Sequence, residues 1–183
     1  MSLPDHEFDP DDNFADHIAD ETDLDTDAAI ESLVWQWLLM VNPGDEDAAQ
    51  QQLRDWREAC AGDDDPDRMR EALLGTTDWR ASFRVHEDDP VTLIDAIGAL
   101  AARFRVEIDW GLEDPTDTVQ LAGHSPGALV TAAYDQLRIE DYTLWTWDTG
   151  DATVAGAIAA RDDDEGMRVL GHALGLDLRP GNG

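Results

Sequence analysis

Side chains able to attack a substrate or move a proton are few in this chain. The histidines are His6, His17, His86, His124 and His172, and no two stand at the H-x-x-x-H spacing that puts a metal-binding pair on one helix face. Of the serines, Ser2, Ser32, Ser82 and Ser125, only Ser125 sits in a glycine-flanked run, Gly123-His124-Ser125-Pro126-Gly127. A nucleophile elbow needs a backbone N–H just after the serine, and Pro126 has none. The run reads instead as a helix cap. Asp23, Asp25 and Asp27 open with the spacing of a calcium loop, but Ala28 replaces the turn glycine and Val34 the closing glutamate. There is no phosphate-binding glycine loop, and without lysine no Schiff-base chemistry. A single cysteine, Cys60, excludes an intramolecular disulfide and a multi-cysteine zinc site. The reading is a non-enzyme: no catalytic residue, no cofactor and no metal ligand is assigned.

The charge is the strong signal. Aspartate and glutamate total 42 against 12 arginines, a formal net charge of −30. Residues 1–53 carry no arginine at all. Such a field repels nucleic-acid phosphates and anionic membranes and attracts basic protein surfaces. The N-terminal residues show no signal peptide, and no apolar run is long enough to cross a bilayer, which points to the cytoplasm. A hydrophobic fraction of 42% is enough for an ordinary core.

Many of the acids precede predicted helices, where carboxylates meet free N–H groups and the positive end of the helix dipole. One cap accounts for one or two carboxylates, not three or four. The surplus marks Asp63, Asp64, Asp65 and Asp67, and Asp162, Asp163 and Asp164, as candidate partner-binding residues. Trp145 and Trp147 are the candidate aromatic anchors, although large aromatics more often serve as core.

The elements that would position these groups follow from periodicity. Residues 1–23 read as an acidic mobile arm, 24–76 as a helical segment and 77–183 as an α+β domain. Ile30, Leu33, Val34, Trp37, Leu38 and Val41 form one helical stripe, capped by Thr26 or Asp27. A second helix covers about 45–61 and a third starts at Pro66. Residues 82–87 and 105–110 alternate as strands, with a helix between them carrying Leu93, Ile94, Ile97, Leu100, Ala101 and Phe104. A helix from Ser125 leads into a hairpin, 141–161, and a last helix spans 162–174. Leu176 and Leu178 can add a short edge strand. In the hairpin, a turn at Thr149-Gly150, or a four-residue loop of the same register, would pair Trp147 with Ala152 and Trp145 with Val154. Trp145, Trp147 and Val154 would then share one face, and Tyr142, Leu144, Ala155 and Ala157 the other. Both faces are apolar, as in a central pair of strands. The predicted fold is α+β: an N-terminal helical segment followed by a ferredoxin-like (split β-α-β) mixed sheet with helices on one face.

Ile108-Asp109-Trp110, the run Leu144 to Asp151, and Leu174-Gly175-Leu176 together resemble a bacterial domain-of-unknown-function family of small α+β proteins, over about residues 80–178. The resemblance implies a fold and no activity. In general build the chain is also similar to the immunity partners of bacterial toxins. The functional expectation is a non-enzymatic acidic protein that engages a basic protein partner, of immunity or antitoxin type. The competing reading is a salt-adapted cytoplasmic protein whose acidity serves hydration; a metal-dependent or enzymatic role ranks below both.

Overall fold

The computed structural model describes the backbone of residues 14–63 and 65–183, and the side chains of residues 27–63 and 65–183. The chain divides into two compact units, Met1–Ser32 and Leu33–Gly183. In the first, the described backbone is helical from Phe14 onward. That helix, α1, spans Phe14–Val41 and so begins well before Thr26. No proline or glycine lies between Phe14 and Val41 to stop it. The Asp23–Asp27 run is therefore helix interior, not a calcium loop.

In the second unit α1 continues to Val41 and is followed by α2 (Glu46–Ala59) and α3 (Pro66–Thr76). Asp45 caps α2 by accepting from the Ala48 N–H, and Asp65 caps α3 by accepting from the Asp67 N–H. Then come β1 (Ser82–His86), α4 (Pro90–Ala102), the one-turn α5 (Thr118–Leu121), α6 (Pro126–Ile139), β2 (Tyr142–Trp147) and β3 (Thr153–Ala160). A 3₁₀ turn (Arg161–Asp163) leads into α7 (Asp164–Ala173), and β4 (Leu178–Pro180) closes the chain. Ser125 caps α6 through the Ala128 N–H, as the sequence suggests.

The four strands lie in the order β1-β3-β2-β4 and every pair is antiparallel. The α+β class and the N-terminal helices agree with the sequence reading; the mixed sheet does not. The split β-α-β unit exists, but β1 opens it, with β3 inserted between β1 and β2. Residues 105–110, expected as a strand, stand outside the sheet. Their partner is a side chain: the Gln136 amide accepts from the Asp109 N–H and donates to the Asp109 carbonyl, each at 2.8 Å.

Helices cover both faces of the sheet, not one. Phe83, Val85, Leu144 and Ile158 form a core with Leu93, Ile97 and Leu100 of α4 and Leu129, Ala133 and Leu137 of α6. On the opposite face the Trp37 ring of α1 meets Trp147 edge-on at 6.0 Å, and Arg168 of α7 lies over the Trp145 ring at 5.5 Å. Gly171 of α7 leaves room for Leu178 of β4, and Gly166 for the Met40 side chain.

The hairpin register corrects the sequence reading. Trp147 pairs with Ala155 and Trp145 with Ala157, three residues beyond the expected partners. An odd shift exchanges the faces of β3, so Ala155 and Ala157 join the tryptophans and Val154 joins Leu144. The cause is the turn. The Asp148 carboxylate accepts from the Gly150 N–H, Thr149 Oγ1 donates to Asp151 at 2.6 Å, and the Thr153 hydroxyl also donates to Asp151. Arg84 of β1 reaches the other Asp151 oxygen at 3.0 Å. These bonds build a polar loop over 148–152 in place of a two-residue turn.

Hydrogen bonds from Thr149 and Thr153, then from Arg84, hold the Asp151 carboxyl down at about 2. A depressed carboxyl stabilises the fold above the ordinary carboxylate range, and that contribution disappears as pH falls toward about 2. Carboxyl-carbon NMR of Asp151 should titrate with a midpoint near 2, and Thr149→Val should raise it. A midpoint in the ordinary range for the native chain would remove this account of the turn.

Candidate protein-binding surface

The carboxylates singled out from the sequence do not form one patch. Asp63 accepts from the Asp65 N–H and pairs with Arg68 at 2.9 Å, and these bonds lower its pKa. Asp65 is a cap, and Asp67 pairs with Arg70. Asp64 lies outside the described residues. Gly175, just after α7, lies against the Arg70 guanidinium, whereas Asp162, Asp163 and Asp164 sit at the other end of α7. The length of that helix, about 15 Å, separates the two clusters.

The side chains of Asp162 and Asp163 have no hydrogen-bond or ion-pair partner among the described residues. Asp164 differs: it is mostly buried and accepts from Arg138 Nη1 and from Thr143 Oγ1, both at 2.6 Å. It joins α6, β2 and α7, and its role is structural.

Trp145 and Trp147, the expected anchors, are buried at 1% and 8% exposure. They cannot meet a partner, because α1 and α7 already cover their face of the sheet. Among the described residues the fully exposed large aromatic is Trp79, at 76%. It stands in the connection between α3 and β1, outside any periodic stripe, so no helical or strand pattern marks it. The loop beneath it is rigid in its bonding. Asp78 accepts from Gln52 Nε2 at 3.2 Å, from the Arg80 N–H and from Nε and Nη2 of the Arg80 guanidinium. Gln52 in turn accepts from Asn42, both buried. The Arg80 guanidinium lies 5.9 Å from the Trp79 ring.

This loop adjoins α2. The Asp78 carboxylate, by hydrogen bond and charge, holds the Arg80 pKa up, and Asp45 and Asp55 add to the effect. Glu46, Asp47, Asp55 and Glu58 are exposed along α2, as are Asp65, Asp67 and Glu71 at α3. The surface thus carries an exposed indole beside Arg80, whose charge Asp78, Asp45 and Asp55 support.

Nothing described converges as a catalytic centre. His86 Nδ1 lies 3.7 Å from Asp88 with both groups exposed, and His124 Nδ1 lies 3.2 Å from the Gln120 carbonyl. His172 is exposed; the His6 and His17 side chains lie outside the described residues. Burial, then the Asp63 carboxylate, pushes the Cys60 thiol up, which keeps it protonated and a poor nucleophile. Among the described residues no three His, Cys, Asp or Glu side chains group as metal ligands. Nor is any described helix long and apolar enough to cross a membrane.

A family model described as a domain of unknown function (DUF6630) matches residues 33–181, most of the chain. No curated protein and no solved structure matches it.

Proposed function

The chain belongs to the DUF6630 family, a domain of unknown function, and from its own surface we propose that it is a cytoplasmic, non-enzymatic acidic protein that binds a partner with a basic face. An immunity- or antitoxin-type inhibitor is the most concrete form. The carboxylates of α2 and α3 would steer the partner and cover its cationic groove, and Trp79 would anchor it. The observation that carries this reading is Trp79: a tryptophan 76% exposed, on a loop fixed by Asp78, in a chain of net charge −30. An indole offers a large apolar area, and tryptophan is enriched where interfaces concentrate their energy.

The test is affinity capture from the native lysate with the parent chain and with Trp79→Ala. The parent should retain one basic protein in near-equal amount. Trp79→Ala should weaken retention roughly 30-fold, the scale of a 2 kcal/mol hot spot, and added salt should weaken both. Recovery of nothing specific, or retention indifferent to Trp79→Ala, would overturn the proposal. The first outcome favours the competing reading of a salt-adapted protein, which the absence of lysine beside 42 acids supports.

A further inference from the structure

Val106 and Ile108 are buried while Glu107 and Asp109 are exposed, the period-two pattern of an extended chain. In such a chain the N–H and C=O groups of successive residues point to opposite edges. Asp109 turns its edge to Gln136, whose side-chain amide closes the same two-bond ring that a neighbouring strand would close. Ile108 and Trp110 therefore present the other edge. Their backbone N–H and C=O groups have no hydrogen-bond partner among the described residues.

Ile108 and Trp110 line a groove of about 610 Å³ whose far wall is α4. Gly98 opens that wall: a Cβ there would meet nothing within 4 Å. Arg105 stands at the groove in the left-handed region, φ 61°. It occupies the position after α4 where the Val106 N–H bonds to the Ala101 carbonyl and the Arg105 N–H to that of Ala102, a closure that glycine usually supplies. Asp95 and Glu107 also line the groove.

We propose that this edge takes up an extended segment of a partner polypeptide as an added strand, with basic side chains directed at Asp95 and Glu107. The unpaired main-chain groups call for strand addition, since only another backbone supplies donors and acceptors at that repeat. Charge selects a basic segment: two carboxylates face one arginine here, on a chain of net charge −30. The same charge disfavours a second copy of this chain. The choice of a basic segment rests on the acidic-binder reading; the free edge does not.

The probe is a peptide of about ten alternating valines and lysines, compared with the same peptide N-methylated along one backbone edge. Amide hydrogen exchange at Ile108 and Trp110 should slow about tenfold on binding, and N-methylation should weaken affinity about tenfold. Gly98→Leu, whose Cβ would meet nothing within 4 Å and which improves the helix propensity of α4, should weaken binding to the same extent with no fall in melting temperature. Trp79→Ala should leave the peptide's binding unaltered, so this proposal and the Trp79 surface fail separately. Absence of protection at the two amides, equal binding of the N-methylated peptide, or protection that grows with protein concentration alone would overturn the inference.

Discussion

Gly156→Ala should lower stability by about 3 kcal/mol, the upper part of the range for overpacking a filled core. Gly156 sits in β3, a central strand, opposite Phe83 of β1 and Thr146 of β2. A Cβ at this position would overlap the Trp145 carbonyl oxygen and come within 2.8 Å of the Phe83 ring. The ring could turn; the carbonyl oxygen belongs to a paired strand and cannot. For a domain of this size the loss corresponds to a fall in melting temperature of roughly 6–12 °C. Gly75→Ala is the matched control. Gly75 lies within α3, nothing is within 4 Å of its Cβ position, and alanine is the better helix former. A thermal melt in which Gly156→Ala behaves like Gly75→Ala would contradict the packing described for the sheet.

The second large effect is expected at Asp164. Asp164→Ala leaves the Arg138 guanidinium without its carboxylate and Thr143 Oγ1 without its acceptor, at the point where α6, β2 and α7 meet. Breaking a buried ion pair costs about 3–5 kcal/mol. The side chains of Arg138 and Asp164 keep 25% and 19% exposure, and solvent reduces the figure to about 2–4 kcal/mol. Denaturant unfolding measures it directly. Replacing both partners with apolar residues, Arg138→Met with Asp164→Leu, should cost less than Asp164→Ala alone, because no charge is left stranded. A single substitution costing under about 1 kcal/mol would place the pair with ordinary surface ion pairs.

The helix 90–102 is plain in the sequence: Asp89 and Pro90 mark the start, and Leu93, Ile94, Ile97, Leu100 and Ala101 are all buried as the stripe requires, while Phe104 falls in the turn beyond the helix and is half-buried. The hairpin was plain too, but its register was not. Register there depends on Thr149 and Thr153 both binding Asp151, a set of contacts that composition cannot distinguish from a short turn. The alternation of 106–110 was legible, yet alternation says nothing about what lies alongside, and here a glutamine side chain does. Trp145 and Trp147 looked like possible anchors because a sequence does not reveal that α1 and α7 close over the second face of the sheet. Trp79 carries no sequence signal, for the opposite reason. Its exposure follows from a loop pinned by Asp78, and loops carry no period to betray which residue points outward.

The pairing of β1 with β3 sets the order in which this molecule can assemble. Ser82 finds its partner in Ala157, some 75 residues later in the chain. At ribosomal speed that interval lasts roughly 4–15 s, during which the nascent first strand has nothing to join. Contacts of such long range also slow folding, since the loop must close before any pairing rewards it. The hairpin partners Trp147 and Ala155 are near neighbours and can zip early. Arg84 and His86, both exposed on β1, give the waiting strand polar outward positions that discourage premature association with other chains.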